Sequence, residues 1–599
     1  MSRLARPAAQ AKPTYDVIVV GSGYGGGVAA SRLARIGLSV AVLERGREYL
    51  PGDFADTMLA ASTSMQINTG GRRIGPADAL FDLRVGKDVH ALVGCGLGGT
   101  SLINAAVCLT PDSMVLEDEA WPEEIRIDHR LNVGYHRARE MLAPATLPAT
   151  STPTKLASLQ RAGAALGHHV ERVPLHIAFE NQTNAAGVAQ PACVQCGDCM
   201  GGCNTGAKTT VHSTYLTDAV NHGAELFTGA NVRLIERAGG DLWRVVFRRN
   251  DADGSHVPVG AVTAAMVVLA AGTLGTAEIL MRSREQGLRV SDRLGWRFST
   301  NADVMSFGYN YDRPVNSVGI GLSGRPKVPP PGPAVVGLID LRRRRDPLDR
   351  VALVEATVPS VMAGLMPMLL ASGAKLAPAA AGDGIAGLLA NARRDAESLV
   401  SGAYKGPVHH SHAFLAVGHD GAAGRLMFED DSLVVHWPRA SDEPIFTHIS
   451  AMLRTGVAAN SGAYVPNPVS SELLGGDLMT VHPLGGCSMG RDRTTGVVDH
   501  KCRVYDGDPA KRADAVHDGL YICDGSVIPR PLGVHPLFTI AAVAERAMML
   551  FAREHGLPLD VSPRRDTPKR EFRADPSVTR AGNGGTSRFG RLFDRGAKA

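Results

Sequence analysis

The sequence predicts an α/β protein with a parallel sheet in one domain and a second domain of the α+β type. Three observations predict this class. A strand, a glycine-rich turn, a helix and a second strand follow one another in residues 15–44. Further strands with helix or turn signals recur near 231–280 and 520–551. The chain has 599 residues, whereas a single hydrophobic core stops growing near ~250–300 residues, so several domains are expected.

Composition and charge are those of an ordinary globular chain. The hydrophobic content of 44% and the charged content of 20% exclude a wholly disordered protein. The 63 Lys and Arg nearly balance the 59 Asp and Glu, and a net charge of +4 does not fit a nucleic-acid-binding protein of this size. The sequence has no run of ~18 apolar residues and no apolar stretch in residues 1–13, so neither a membrane-spanning helix nor a secretory signal is predicted.

Cysteine usage and the charge of the carboxyl-terminal segment bear on location. Nine cysteines, four of them within eleven residues, fit a reduced compartment better than a secreted disulfide framework. Residues 561–599 contain 10 Lys or Arg and 4 Asp or Glu, which predicts a basic, flexible tail. We therefore predict a cytoplasmic protein, and contact of the tail with a membrane surface or a partner stays open.

The first motif is a complete βαβ unit. A buried-strand pattern at Tyr15–Val20 runs into the GxGxxG segment Gly21–Gly26, and the helix pattern Val28–Arg35 follows. A second strand, Ser39–Leu43, ends in Glu44, near the offset expected of a carboxylate that binds a ribose. This arrangement predicts a dinucleotide site, whereas a glycine-rich turn without a ligand is the alternative.

Each glycine of the motif has a physical reason. Gly21 permits a tight turn, Gly23 lets the backbone approach a pyrophosphate, and Gly26 allows the helix to pack closely on the strand. The amino terminus of the helix offers N–H donors and the positive end of its dipole to the phosphates.

Later segments repeat the combination of strands and glycine-rich turns. A second glycine-rich segment is Val93–Asn104, and a strand at Met266–Leu269 leads into a helix. In the segments Asn231–Ile235 and Trp243–Phe247, apolar and polar residues alternate as in antiparallel strands. Near the carboxyl end, the motifs are His482–Cys487, the strand-turn Leu520–Ser526, and Gly533–Leu537, which leads into a helix.

Taken in this order, the motifs resemble the glucose-methanol-choline (GMC) oxidoreductase family of flavoproteins, and within it the cholesterol-oxidase-type members. The resemblance covers roughly residues 14–310 and 475–555. It implies an FAD-binding Rossmann-like domain and a second α+β substrate domain. The FAD-binding domain would comprise residues 14–125, 205–300 and 475–555, and the substrate domain residues 126–204 and 301–474, including a cysteine-rich loop at 193–203.

The resemblance also implies non-covalent FAD and a set of residues that hold it. The pyrophosphate would lie at Gly21, Gly23 and Gly26, and the adenosine ribose at Glu44. Val232 would contact adenine through its backbone, and Asp524 would lie near the ribityl or phosphate groups. Along the isoalloxazine ring the family places Gly99, Ser101 and Asn104.

His482 and His535 match the catalytic histidine of the family and its His-or-Asn partner. Oxidation of an alcohol needs a base for the O–H proton while hydride moves to flavin N5, and imidazole suits that task. Cholesterol oxidases of the best-known type have Asn at the second position, so His535 leaves the sterol open as substrate. The prediction is oxidation of a small apolar alcohol to a carbonyl, with O2 or another electron acceptor. A packed turn residue is the alternative for either histidine.

Glu355 is a third catalytic candidate. It is the one carboxylate in the apolar strand pattern Val351–Ala356. In cholesterol oxidases a Glu in a similar strand shifts the double bond of the steroid product, and a carboxylate buried there would have a raised pKa. The alternative is an outward-facing Glu on an alternating strand.

Four cysteines, Cys193, Cys196, Cys199 and Cys203, have the spacing of half a bacterial ferredoxin motif. An iron–sulfur cluster there would favour an alcohol dehydrogenase that passes electrons to a quinone or cytochrome rather than to O2. A zinc site, oxidisable thiols or a loop without metal are the alternatives. A further rival is a flavin-binding protein without catalytic activity.

Overall fold

The computed structural model describes residues 3–70, 72–239, 241–250, 256–322, 326–376, 402–467 and 478–563. The predicted basic tail lies outside the described residues from position 564 onward. The helices are α1 Tyr24–Arg35, α2 Met58–Ala61, α3 Ser113–Leu116, α4 Glu123–Ile127, α5 Arg130–Leu142, α6 Thr154–Ala165, α7 Thr217–Asn221, α8 Gly272–Glu285, α9 Met366–Leu376, α10 Gly406–His409, α11 Pro444–Ala458 and α12 Leu537–Glu554.

The strands fall into three larger sheets and two hairpins. They are β1 Ala5–Pro7, β2 Thr14–Val20, β3 Val40–Leu43, β4 Met65–Thr69, β5 Arg72–Ile74, β6 Phe81–Val85, β7 Val89–Gly94, β8 Glu171–Arg172, β9 Gln182–Thr183, β10 Ala189–Gln190, β11 Glu225–Thr228, β12 Ala230–Arg237, β13 Trp243–Asn250, β14 His256–Leu269, β15 Val304–Tyr309, β16 Gly337–Asp340, β17 Ala352–Ala356, β18 His412–Val417, β19 Arg425–Glu429, β20 Ser432–His436, β21 Ala463–Pro466, β22 Leu478–Thr480, β23 Arg503–Tyr505 and β24 Val516–Ile522.

The largest sheet has nine strands and confirms the α/β class. Its path is β1-β11-β3-β2-β14-β13-β12, and β24 joins it beside β14. β2 is parallel to both β3 and β14, whereas β12, β13 and the amino-terminal part of β14 form an antiparallel meander. The side chains of Val17 to Val20 are at most 2% exposed, as expected of a central parallel strand that is covered on both faces.

The turn after β2 shows why glycine is needed there. Gly21 has φ +90°, and a Cβ on it would lie 2.4 Å from the Ala270 carbonyl oxygen. A Cβ on Gly26 would lie 2.1 Å from the Gly21 carbonyl oxygen. The absence of these two side chains therefore lets α1 start directly against β2 and β14.

A six-stranded antiparallel sheet, β21-β15-β18-β17-β16-β8, forms the second layer system. A five-stranded sheet, β22-β7-β6-β4-β5, contains both the segment after α2 and β22 near the carboxyl end. The functional cavity lies where these sheets meet the carboxyl ends of β2 and β24. Open α/β sheets bind ligands at this edge.

Helix α12 packs against both α5 and α1, and α1 packs on β2, β3 and β14 of the large sheet. Arg32 in α1 and Glu545 in α12 form a buried bidentate ion pair with N–O distances of 2.9 and 2.6 Å. Gly134 in α5 lies so close to α12 that a Cβ there would be 2.2 Å from the Ala542 carbonyl oxygen. α5, which the sequence assigns to the substrate domain, thus packs against α12, which the sequence assigns to the FAD-binding domain. The domain boundaries stay a prediction.

None of the helices in the described part of the chain combines the length and the apolar character that crossing a bilayer requires.

Candidate active site

A cavity of about 1090 Å³ extends from the glycine-rich turn after β2 to the six-stranded sheet. Its lining divides by chemistry into two ends. The polar end is formed by the turn after β2, the end of β3 and the start of β12. The apolar end is lined by Met305, Phe307, Val335, Met366, Phe414 and Leu415, among others.

The polar end fits a dinucleotide. α1 begins after Gly23, and no side chain caps it, so its first N–H groups are open to a ligand. A Cβ on Gly23 would have no neighbour within 4 Å among the described residues, and Gly23 itself lines the cavity. The backbone therefore leaves room for a phosphate at the positive end of the helix dipole.

Glu44 and Val232 both line the polar end, as the resemblance implies. The Glu44 carboxylate accepts hydrogen bonds from the Ser22 N–H at 3.2 Å, the Ser22 hydroxyl at 2.6 Å and the Gly46 N–H at 2.8 Å. Burial raises the pKa of Glu44, and these donors partly offset that effect. The carboxylate is therefore held rigidly at the end of β3, at the position expected of a ribose ligand.

Some residues of the second glycine-rich segment line the cavity, and others hold the loop in place from behind. Gly99 and Asn104 line the cavity, and the Asn104 side-chain amide donates to the Tyr24 hydroxyl at 2.7 Å. Ser101 is not among the described lining residues. Its hydroxyl donates to the Gly98 carbonyl at 2.6 Å and accepts from the Val211 N–H at 3.1 Å. Ser101 therefore shapes the loop from behind, so its predicted contact with a ring in the cavity has no support in this geometry.

Asp524 lines the cavity at the end of β24. Its carboxylate accepts from the Gly272 N–H at 2.9 Å, the Thr276 hydroxyl at 2.5 Å and the Ser526 N–H and hydroxyl at 2.9 and 2.5 Å. Burial raises the pKa of Asp524 above its usual value, and the hydrogen bonds from the four donors offset only part of that rise. Asp524 thus ties the first turn of α8 to the segment after β24.

His482 and His535 face each other in the cavity, although they are far apart in sequence. Their ring centroids are 5.0 Å apart and their planes are inclined by 81°. His535 is buried, and neither of its ring nitrogens has a hydrogen-bond partner among the described residues. Burial, followed by the nearby His482 and Arg342, lowers the pKa of His535 well below its usual value. His535 is therefore a neutral imidazole that can bond to a ligand.

Asp303 is a site residue that the sequence analysis missed. Its fully buried carboxylate accepts from Nδ1 of His482 at 2.7 Å. It lies just before β15, 179 positions from His482. No motif or periodicity marks it, because only the tertiary fold brings this turn to the histidine loop.

Glu355 is buried, so the alternative of an outward-facing residue is wrong. Its carboxylate accepts from the Val336 N–H at 2.8 Å and the Gly337 N–H at 2.9 Å. Burial raises its pKa, and the nearby Lys155 partly offsets that effect. Among the described residues that line the cavity are its neighbours Ala356 and Thr357, but not Glu355 itself. Its role as a base stays a prediction that its position does not favour.

The four clustered cysteines are free thiols, and the structure does not arrange them as a metal site. No group of three or more His, Cys, Asp or Glu side chains in the described ranges, which include residues 193–203, is placed to hold a metal ion. The sulfurs bond instead to their surroundings: Cys193 accepts from the Gln195 N–H and Cys199 from the Ala334 N–H. The geometry thus supports neither the iron–sulfur cluster nor the zinc alternative.

Fold and cavity together define a protein of the dinucleotide-binding class, with two histidines that face each other in the cavity. The family model described as GMC oxidoreductase matches residues 15–296 with its amino-terminal part and 476–544 with its carboxyl-terminal part, together more than half of the chain. The chain therefore belongs to the GMC oxidoreductase family. Its class is that of the FAD-dependent oxidoreductases that act on alcohols.

Individual relatives agree with this assignment. A cholesterol oxidase of Mycobacterium tuberculosis is 27% identical over 590 residues, which cover 90% of this chain and 91% of the relative. A cholesterol oxidase of Acinetobacter baumannii is 25% identical over 91% of this chain and 95% of its own. A long-chain-alcohol oxidase of Arabidopsis thaliana, FAO4B, is 24% identical over 88% of this chain and 66% of its own.

Solved structures show the same fold. Pyridoxine 4-oxidase from Mesorbium loti superimposes with a TM-score of 0.54 at 16% identity, covering 90% of this chain and 99% of its own. A fungal aryl-alcohol oxidase also has a TM-score of 0.54 at 16% identity, covering 91% of this chain and 100% of its own.

Proposed function

We propose that this protein oxidises an apolar alcohol, with a sterol as the leading candidate, to a carbonyl compound. The observation that carries the proposal is the position of His482 and His535 in a cavity that has a dinucleotide-type end and an apolar end. FAD, when bound at the polar end, supplies the two-electron acceptor for the hydride of the alcohol C–H bond. Residues of the chain itself would remove the hydroxyl proton and orient the alcohol.

His482 is the proposed base. Its Nδ1 is engaged by Asp303, so Nε2 is the nitrogen available to take the alcohol proton. His535 has no partner for either ring nitrogen among the described residues and is neutral because it is buried. It therefore suits a hydrogen bond to the alcohol oxygen, which orients the hydroxyl group. The two imidazoles would divide the work of proton removal and positioning.

The apolar end supports the substrate class. Phe307, Phe414 and Met305 line it, and none of them offers a charged group to a ligand. Met362 and Leu365 line the cavity and are each 37% exposed, which indicates that this end reaches the surface there. A long apolar molecule can therefore enter with its hydroxyl group directed at the histidines. The relatives named as cholesterol and long-chain-alcohol oxidases favour the same class.

O2 is the proposed electron acceptor, because these relatives are named oxidases. The competing dehydrogenase hypothesis relied on a cluster at the four cysteines, and that site lacks a metal-binding arrangement in the described residues. Anaerobic mixing with cholesterol and with 1-hexadecanol tests the substrate, since bleaching of the flavin absorbance near 450 nm reports the reductive step. The reduced protein is then mixed with O2 or with a quinone. Rapid peroxide formation supports the oxidase, and reoxidation by the quinone alone contradicts it.

A flavin-binding protein without catalysis is the rival from another class. His482→Ala should retain FAD and lose reduction by the alcohol. Reduction of the variant at the wild-type rate would remove His482 from the reaction, and absence of reduction in the wild type by any alcohol would favour the rival.

A further inference from the structure

The carboxylate of Asp303 holds both the ring and the backbone of His482. Oδ1 accepts from Nδ1 of the ring at 2.7 Å. Oδ2 accepts from the Thr480 hydroxyl at 2.8 Å, the Val481 N–H at 2.8 Å and the His482 N–H at 3.1 Å. One buried group thus fixes the ring relative to its own main chain.

We propose that Asp303 is the positioning residue of the reaction, because it sets the tautomer and the orientation of His482. An ionised carboxylate only accepts hydrogen bonds, so Nδ1 must carry the proton. The lone pair of the neutral ring then lies on Nε2, where a base is needed. This inference rests on the proposed function.

The two histidines of the cavity differ in their hydrogen-bond partners. His535 has no comparable partner among the described residues, so its tautomer is free to follow the ligand. His482 has its tautomer imposed by Asp303 before any ligand arrives. The structure therefore distinguishes the base from the residue that only bonds to oxygen, although both are histidines in one cavity.

The turn that carries Asp303 also holds the second histidine loop. Asn301 and Ala302 have left-handed φ values of +59° and +47°, unusual for residues other than glycine. The Asn301 side-chain amide donates to the Val534 carbonyl at 2.9 Å, and its oxygen accepts from the Leu532 N–H at 2.8 Å. Such strain persists where the surroundings impose it. The turn thus connects Asp303 to the segment that precedes His535.

The decisive variant is Asp303→Asn. The N–H groups of Val481 and His482 both donate to Oδ2, so the amide oxygen must stay there and the NH2 group must face Nδ1 of His482. Nδ1 then has to accept, and the proton moves to Nε2. We expect the rate of anaerobic flavin reduction at saturating 1-hexadecanol or cholesterol to fall about 10²–10⁴-fold, with little change in the half-saturating concentration.

Asp420→Asn is the matched control. Asp420 is also a buried carboxylate, and it supports the same turn by accepting from the Thr300 N–H at 2.9 Å and the Ala302 N–H at 3.0 Å. It has no bond to His482 among those described for its carboxylate. A purely structural role predicts equal losses in both variants. Flavin reduction by Asp303→Asn within about threefold of Asp420→Asn would overturn the proposal.

Two further measurements complete the test. In a His482→Gln background, Asp303→Asn should cause no additional loss of rate, whereas a full additional loss would contradict action through His482. Nitrogen-15 solid-state spectra of histidine-labelled wild-type protein, assigned by difference with His482→Gln, need no Asp303 variant. A proton on Nδ1 of His482 is expected, and a proton on Nε2 overturns the proposal.

Failure of this inference is distinguishable from failure of the proposed function. If no alcohol reduces the wild-type flavin, both proposals fall. If wild type, Asp420→Asn and Asp303→Asn are all reduced alike, the alcohol chemistry stands and only the role of Asp303 falls.

Discussion

The Gly23→Ala substitution tests whether Gly23, unlike Gly21 and Gly26, is needed for FAD binding rather than for the fold. Gly23 has φ −68° and ψ −163°, a backbone conformation open to any residue. A Cβ there meets no atom of the described residues within 4 Å, yet Gly23 lines the cavity at the start of α1. Gly23→Ala should therefore leave the apoprotein intact and place a methyl group where the pyrophosphate is expected.

The expected loss of affinity follows from the crowding of one methyl group. Adding such a group to a filled site costs about 1–3 kcal/mol. Since each ~1.4 kcal/mol is a tenfold change in affinity, FAD binding to Gly23→Ala should weaken about 5- to 150-fold. The melting temperature of the apoprotein should stay at the wild-type value.

The assay is titration of flavin-free protein with FAD, followed by quenching of flavin fluorescence, together with calorimetry of the apoprotein. Gly26→Ala is the contrasting variant, because its Cβ would lie 2.1 Å from the Gly21 carbonyl oxygen and should destabilise the apoprotein itself. Gly239→Ala, in an exposed turn with no atom near the new Cβ, should change neither quantity. Wild-type FAD affinity in Gly23→Ala, or an apoprotein as unstable as Gly26→Ala, would refute the reasoning.

Three other outcomes are expected. His482→Gln should slow anaerobic flavin reduction about 10²–10⁴-fold with FAD content unchanged, and a wild-type rate in stopped-flow would contradict this. Arg32→Met removes the charged partner of the buried Glu545, which keeps only an uncharged donor in the Tyr215 hydroxyl, and should lower the urea-unfolding free energy by about 3–5 kcal/mol. Arg512→Met at an exposed pair should change nothing measurable. Burial lowers the pKa of His176 from 6.5 to about 3, so the unfolded chain binds the extra proton between these values. Stability should therefore fall as pH drops from 6.5 towards 3, less steeply in His176→Gln; equal slopes in urea titrations at several pH values would contradict it.

The βαβ unit illustrates what can be predicted from sequence. The sequence predicts strands at Tyr15–Val20 and Ser39–Leu43, and the structure confirms them as β2 and β3 within one residue at each end. This segment is predictable because the period of its apolar residues and the conformational freedom of glycine are local properties. The meander at Asn231–Ile235 and Trp243–Phe247 is confirmed for the same reason.

A local sequence pattern cannot show whether a buried side chain lines a cavity or lies behind its wall. Glu355 was correctly placed in a strand, but all five residues of β17 are buried, and its carboxylate bonds to the Val336 and Gly337 amides rather than lining the cavity. Ser101 likewise supports a loop from behind. Cysteine spacing suggested a cluster, yet a metal site needs sulfurs that converge, and convergence depends on how the loop folds.

The α/β class, the glycine-rich turn for a dinucleotide and the two histidine motifs could be predicted from the sequence, because each depends on residues close together in the chain. The 5.0 Å distance between the two imidazole rings and the hydrogen bond between His482 and Asp303 could be read only from the folded chain. Those relations join segments separated by 53 and 179 positions. Chain packing alone sets distances between segments so far apart, and it is packing that places the buried Asp303 carboxylate against His482.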